Sequence, residues 1–174
     1  MPIPMMSFFT GLLADGARPP GARLRGFDLS GSRLQRANLH RADLGCASLR
    51  GVDFQRADMR GCSLFEADSI GSDFSEANLQ GAILSFGKFA GSNFHHANMA
   101  GAVLLGSDLS DSNLCGVDLS EAQINPVGCG CAGNYVTILR GAKYDSWTKI
   151  PLVFPEKAGM VFVEVGGASW RSRG

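Results

Sequence analysis

Large apolar residues recur at every fifth position of this chain, from Leu24 to Ile124, and Ser69 is the one polar exception. A small residue usually stands two positions before each apolar centre, Asp or Asn often precedes the centre directly, and Gly often follows two positions later. Neither regular element has this period, because five steps leave the face of a helix and change sides of a strand. The pattern therefore predicts short extended pieces joined by corners and coiled around an apolar axis.

Residues twenty positions apart resemble one another, which indicates how many pieces form one turn. Two columns of apolar centres show this, and we expect both to lie in the core: Leu34, Phe54, Phe74, Phe94 and Leu114, and Leu39, Met59, Leu79, Met99 and Leu119. The spacing favours four repeats per coil, with coils stacked at about 4.8 Å like hydrogen-bonded strands. Such a stack is a solenoid, in which each unit contacts mainly its neighbours.

The repeats resemble those of the pentapeptide-repeat family, whose pattern is a small residue, Asp or Asn, Leu or Phe, and two variable positions. The resemblance extends over residues 22–125. It implies an all-β fold, a right-handed quadrilateral β-helix solenoid of about six coils. Departures from the pattern are Phe27, Ser69, Ile83, Gly87, Lys88 and Val103. Phe89 follows Ser69 in the same column, and we expect its ring to fill the space that Ser69 leaves.

The length of 174 residues fits one domain, with the β-helix predicted at 22–145. An irregular segment at 126–136 contains Gly and Cys and is expected to replace part of one coil. The five-residue phase returns after it. We therefore expect Tyr144 to extend the column of Leu24 and the last coil to close near Asp145.

Both ends of a solenoid need covering, because an open end exposes the core and unpaired strand edges. Residues 1–21 are expected to form a short helical cap at the N-terminal end. Residues 146–174 are expected to form a C-terminal cap and a mobile tail, with a short strand within 160–165 that could pair with an edge.

The overall net charge is zero, but arginines dominate up to Arg60 and acidic residues dominate from 61 to 125. A basic stripe can attract phosphate. Aspartates are interspersed among these arginines, and no aromatic stacking platform accompanies them, so nucleic-acid binding is not expected.

Candidate chemistry is sparse. His95, His96 and Cys115 do not complete a metal-ligand set, and no nucleophile, base and orienter set or cofactor fingerprint is present. We expect no catalytic residue, no metal, no cofactor and no small-molecule substrate. The odd number of cysteines indicates a reducing, cytoplasmic compartment, and the lack of a long apolar run indicates a protein without a membrane segment. The stretch that begins at Tyr144 resembles the tail found after such repeats in bacterial family members, which implies a bacterial protein.

The most informative outward residues are apolar and flank one column of centres, and they form a candidate interaction patch: Phe65, Ile83, Phe86, Val103 and Leu105. Apolar residues on consecutive coils of one face make a contiguous surface. Either the C-terminal segment covers this surface, or a homodimer or another protein binds it.

The predicted function is a non-enzymatic scaffold that mediates protein-protein interaction through its outer faces. One alternative is a DNA mimic that binds a type II topoisomerase, as the resemblance to quinolone-resistance members of the family implies. The neutral total charge speaks against that role. Another alternative is a structural component of a larger assembly, such as a phage particle.

Overall fold

The computed structural model describes residues 21–124, 137–149 and 160–162. The helical cap expected at 1–21 lies outside the described residues except for Gly21, and so do the segment 126–136 and the tail beyond Phe162. The regular strands of the described part are β1, Lys143–Tyr144, and β2, Val161–Phe162. The repeats themselves pair through isolated parallel bridges.

From Arg23 to Val103, each repeat pairs with the repeat twenty residues further on, so that four ladders run along the stack. The ladder residues define four faces in chain order: face A has Arg23, Asp43, Ser63, Ile83, Val103 and Gln123; face B has Asp28, Ser48, Asp68, Lys88, Asp108 and Ile138; face C has Arg33, Asp53, Asp73, Asn93, Asn113 and Lys143; face D has Asn38, Asp58, Asn78, Asn98, Asp118 and Lys149. Four repeats therefore make one coil, as the columns predict, and the cross-section is quadrilateral.

The repeat centred on Phe54 shows how five residues form one side and one corner. The Gln55 N–H donates to Asp53 Oδ1 at 3.0 Å, and the Ala57 N–H donates to the Phe54 carbonyl at 2.9 Å. Between them Arg56 has a φ of 58°, the left-handed conformation that a turn of this kind requires at its third residue. The Asp and Asn rows thus act as turn acceptors, and glycine at the third residue relieves a steric cost.

The interior is filled by the apolar centres and small residues. The rings of Phe54 and Phe74 stack at 4.9 Å between centroids, and those of Phe74 and Phe94 stack at 4.8 Å. The ten residues of the two columns expected in the core are all at most 2% exposed. Burial of such side chains contributes about 1.5 to 3 kcal/mol each, so the filled axis is the main source of stability.

Gly87 stands where the repeat usually has Ala or Ser, and Phe89 explains the substitution. A Cβ atom on Gly87 would lie 2.4 Å and 2.8 Å from two carbons of the Phe89 ring. The ring is buried beside Phe74 and Phe94, with centroids at 6.1 Å and 5.8 Å. It therefore has little room to turn away. Ser69, one coil earlier in the column of Phe89, is fully buried.

We expect Gly87→Ala to lower the free energy of unfolding by about 1 to 3 kcal/mol, because the new methyl group overpacks against the Phe89 ring. Chemical denaturation of Gly87→Ala, Phe89→Leu and the double variant measures the coupling between the two positions. The double variant should be more stable than the sum of the single effects, since Leu vacates the space the methyl group needs. Strict additivity would show that the ring does not exclude the methyl group.

The pairing around the segment 126–136 differs from the prediction. Asp108 pairs with Ile138 and Asn113 pairs with Lys143, thirty residues apart instead of twenty. The step from Gln123 on face A to Ile138 on face B thus takes fifteen residues instead of five. The extra ten residues equal two repeats, so Ile138 and Lys143 keep the five-residue phase but lie two faces further on, while Lys149 pairs with Asp118 at a spacing of thirty-one residues.

Tyr144 consequently does not extend the column of Leu24. It follows Lys143 on face C, and the Leu114 N–H donates to the Lys143 carbonyl at 2.7 Å, which places Tyr144 in the column of Phe94 and Leu114. The coil also does not close near Asp145, because Asp118 pairs with Lys149.

The C-terminal segment adds one more layer to face C. Strand β2 pairs with β1 in parallel, with Lys143 opposite Val161 and Tyr144 opposite Phe162. The strand expected within 160–165 is therefore present at Val161–Phe162. Met160 is partly buried and packs against the core.

Candidate interaction surface

The five patch residues lie on face A and on the corner that follows it. Ile83 and Val103 are neighbours in the ladder. The Phe86 N–H donates to the Leu105 carbonyl at 3.0 Å, and the rings of Phe65 and Phe86 meet edge to face at 5.6 Å. The structure thus brings all five residues together on three consecutive coils.

The patch is open to solvent at its centre. Ile83 is 41% exposed and Phe86 is 37% exposed, whereas Phe65, Val103 and Leu105 are half-buried. Single exposed apolar residues are common, but a contiguous group of them is typical of binding surfaces.

Phe86 has a φ of 60°, which is unfavourable for a bulky side chain by roughly 1 to 2 kcal/mol. Its ring lies over Gly106 of the next coil, where a Cβ atom would come within 2.8 Å of the ring. Sequence reasoning found Phe86 but missed Gly106. The signal for it is the twenty-residue spacing between the two.

Ile83 and Val103 also depart from the local rule of the repeat. In the four repeats of face C that have Asp or Asn in the ladder, this residue accepts a hydrogen bond from the N–H two positions later, as Asp73 does from Ser75 at 2.9 Å. Ile83 and Val103 cannot supply that acceptor. Face A therefore gives up two turn hydrogen bonds and gains apolar surface.

Ion pairs neutralise much of the basic stripe of the first coils. Arg56 donates to both carboxylate oxygens of Glu76, from Nε at 2.8 Å and from Nη2 at 3.1 Å. These hydrogen bonds lower the pKa of Glu76 and raise that of Arg56. Arg50 pairs with Asp68 at 3.1 Å, and Arg60 with Asp58 at 2.6 Å. The stripe is thus less positive than the sequence suggests.

The candidate metal ligands named from the sequence, His95, His96 and Cys115, lie on two neighbouring coils. The His95 ring Nδ1 is 3.1 Å from the Cys115 carbonyl oxygen, and burial raises the pKa of the Cys115 thiol. Across the described ranges, no three His, Cys, Asp or Glu side chains are grouped as a metal site would require. Cys62 fills a core position, where burial raises the pKa of its thiol to about 12.

Comparison with known families decides what these repeats are. The family described as Pentapeptide repeats (8 copies) matches residues 21–56, 57–95 and 92–125. The chain belongs to the pentapeptide-repeat family. A comparison with curated proteins found no match.

Two solved pentapeptide-repeat structures are similar to this pentapeptide-repeat chain. A protein from the thylakoid lumen of Arabidopsis thaliana shares 32% identity over 67% of this chain and 73% of its own, with a TM-score of 0.48. A protein from Nostoc Pcc 7120 shares 28% identity over 64% of this chain and 84% of its own, with a TM-score of 0.57. Membership of this family implies that the β-helix is right-handed.

The fluoroquinolone resistance protein QnrB1 is also similar, with 17% identity over 83% of this chain and 79% of its own, and with a TM-score of 0.34. That likeness is too distant to indicate a shared target. In the part of this pentapeptide-repeat chain that the structure describes, no helix has the length and apolar character to cross a membrane.

Proposed function

We propose that this pentapeptide-repeat protein is a non-enzymatic scaffold that binds a protein through the apolar patch of face A. The observation that carries the proposal is the contiguous apolar group on three coils, in which Ile83 is 41% exposed next to Val103 and the Phe65 and Phe86 rings meet edge to face. A contiguous exposed apolar group of this kind is typical of a binding surface.

The filled interior supports a role without catalysis. Among the described coils the axis is occupied by buried aromatic and aliphatic side chains, so the outer faces are the surfaces that can bind. The free thiols of Cys46, Cys62 and Cys115 also suit the cytoplasm, which we propose as its compartment.

The alternative function, a DNA mimic whose acidic surface imitates phosphate groups, is less well supported. Many carboxylates of the acidic half serve as turn acceptors, for example Asp108, which accepts from the Ser110 N–H at 2.9 Å. Asp118 binds Lys149 Nζ at 2.6 Å. These contacts direct the negative charge toward the protein itself, which favours the scaffold over a DNA mimic.

Photo-crosslinking tests the proposal. A photoreactive phenylalanine analogue replaces Ile83 on face A or, as a control, Asn93 in the same slot of the opposite face C. We expect one discrete protein adduct from position 83 in the cells that make the protein, and its loss when Phe86→Glu is added. Equal adducts from both positions, or none from position 83, would contradict a binding role for face A.

A further inference from the structure

At the corner that precedes face A, the third residues of successive turns form a column along the stack. Four of the six are glycine, and the other two are exposed charged residues. The third turn residues of this corner are Gly21, Arg41, Gly61, Gly81, Gly101 and Glu121. Arg41 and Glu121 have φ values of 56° and 58° and are both exposed. Neither forms an ion pair with the described residues. Two charges therefore occupy positions that glycine would fill with less strain.

These two charges are placed symmetrically along the stack. Arg41 lies two coils before Gly81 and Glu121 lies two coils after it, which is about 10 Å in each direction. The apolar residues are placed symmetrically about the same level, since Phe65 and Leu105 lie one coil before and one coil after Ser85 in their column. The corner charges and the flanking apolar residues of face A are thus complementary about the level of Ile83, and in the same arrangement Ser63 lies opposite Val103.

We propose that face A is the interface of an antiparallel homodimer, with its two-fold axis along the strands at the level of Ile83. In a two-fold interface each contact occurs twice. Arg41 then meets Glu121 of the partner subunit, and Phe65 meets Leu105 of the partner subunit. Ile83 and Phe86 lie on or beside the axis. This inference rests on the proposed function and names the protein that occupies the patch.

The charge order selects the antiparallel arrangement over the parallel one. With the rods parallel, the corner before face A would oppose the corner after face A at the same level. Arg41 would then face Cys46 of the partner subunit, whose thiol lies beside both the Glu66 carboxylate and the Arg25 guanidinium, and Glu121 would face no cation of the described coils. The unpaired Glu121 disfavours that orientation, whereas the antiparallel one gives both Arg41 and Glu121 an opposite charge at the rim.

The apolar centre supplies the affinity and the rim supplies the orientation. Exposed ion pairs contribute little by themselves, while buried aromatic residues near the middle of an interface contribute most. One face of a few coils is small for a stable interface. We therefore expect a dimer that dissociates on dilution, with a dissociation constant in the micromolar range, on the order of 10 µM.

Sedimentation equilibrium from roughly 1 to 500 µM, at low salt, tests the dimer. We expect the parent to change from monomer to dimer over this range. Glu121→Arg and Arg41→Glu should each weaken the dimer by about tenfold, because like charges then meet. The double variant with both changes should recover the parent affinity. Asp111→Arg is the matched control, since Asp111 also has a positive φ and is exposed, but on the corner after face B.

A parent that stays monomeric throughout would overturn the dimer, and so would a dimer that Glu121→Arg and Arg41→Glu leave unchanged. A monomer whose position 83 crosslinks to a different protein would refute the dimer and keep the scaffold role. A dimer with no adduct from position 83 would instead place self-association on another surface. Circular dichroism of each variant confirms that the β-helix is retained.

Discussion

Phe74→Ala is expected to lower the free energy of unfolding by about 3 to 5 kcal/mol, the usual cost of removing a buried aromatic ring. Phe74 is fully buried and stacks on both Phe54 and Phe94, with rings within 13° and 3° of parallel. It also meets the Phe89 ring edge on. The cavity would therefore remove three aromatic contacts at once, in the middle of the rod.

Phe74→Leu is the matched control, because Leu34 and Leu114 occupy the same column. It should cost much less, about 1 kcal/mol, since Leu keeps most of the apolar contact. Thermal and chemical denaturation of both variants measure the difference, and hydrogen exchange shows whether the coils next to position 74 lose protection first. A loss below about 1 kcal/mol for Phe74→Ala would mean that neighbouring coils repack into the cavity.

The coil geometry could be predicted from sequence because the repeat encodes it at two levels. The period of five requires a corner in each repeat, and the resemblance of Phe54, Phe74 and Phe94 at a spacing of twenty requires four sides. The patch on face A follows from the same arithmetic. Its members could be placed on one face before their exposure was known.

The C-terminal register could not be predicted in this way. An insertion of ten residues leaves the five-residue pattern intact, so the pattern of Leu139 and Tyr144 is the same whichever faces they occupy. Only the pairing of Asp108 with Ile138 fixes the faces. A periodic sequence thus predicts the structure of each repeat well. It does not predict on which face the repeats after an interruption lie.

The backbone conformation and the packing of Phe86 could be predicted from the sequence only in part. Gly at the third turn residue of many repeats signals a positive φ there, and so predicts that Phe86 adopts it too. The sequence does not reveal that Gly106 provides the space for the ring, because a glycine at a turn has a sufficient local reason. The contact becomes evident only when neighbouring coils are stacked.

Asp145→Ala should destabilise the C-terminal coil by about 2 to 4 kcal/mol. Asp145 is 3% exposed, and its Oδ1 accepts hydrogen bonds from the Gly116 N–H at 2.9 Å, from the Trp147 and Thr148 N–H groups at 3.0 Å, and from Thr148 Oγ1 at 2.9 Å. The change removes this shared acceptor, so the Gly116 and Thr148 N–H groups keep only longer contacts at 3.2 Å, to Thr148 Oγ1 and to the Asp145 carbonyl. Hydrogen exchange at Gly116 and Thr148 measures the effect locally, and Asp145→Asn, which keeps an oxygen acceptor, should cost less.

The pH dependence separates the charge of Asp145 from its geometry. Burial alone would raise the pKa of Asp145, but the hydrogen bonds from Gly116, Thr148 and Trp147 outweigh it and lower the pKa. A lowered pKa means that the ionised group stabilises the coil above its unfolded pKa, near 3.9, and that this stabilisation is lost as the pH falls further. Asp118, whose pKa hydrogen bonds from Lys149 and Ser120 lower to about 2, acts in the same direction. Parent and Asp145→Asn should therefore differ most above about pH 4 and converge as the pH falls below it. A difference that does not change with pH would assign the whole effect to hydrogen-bond geometry.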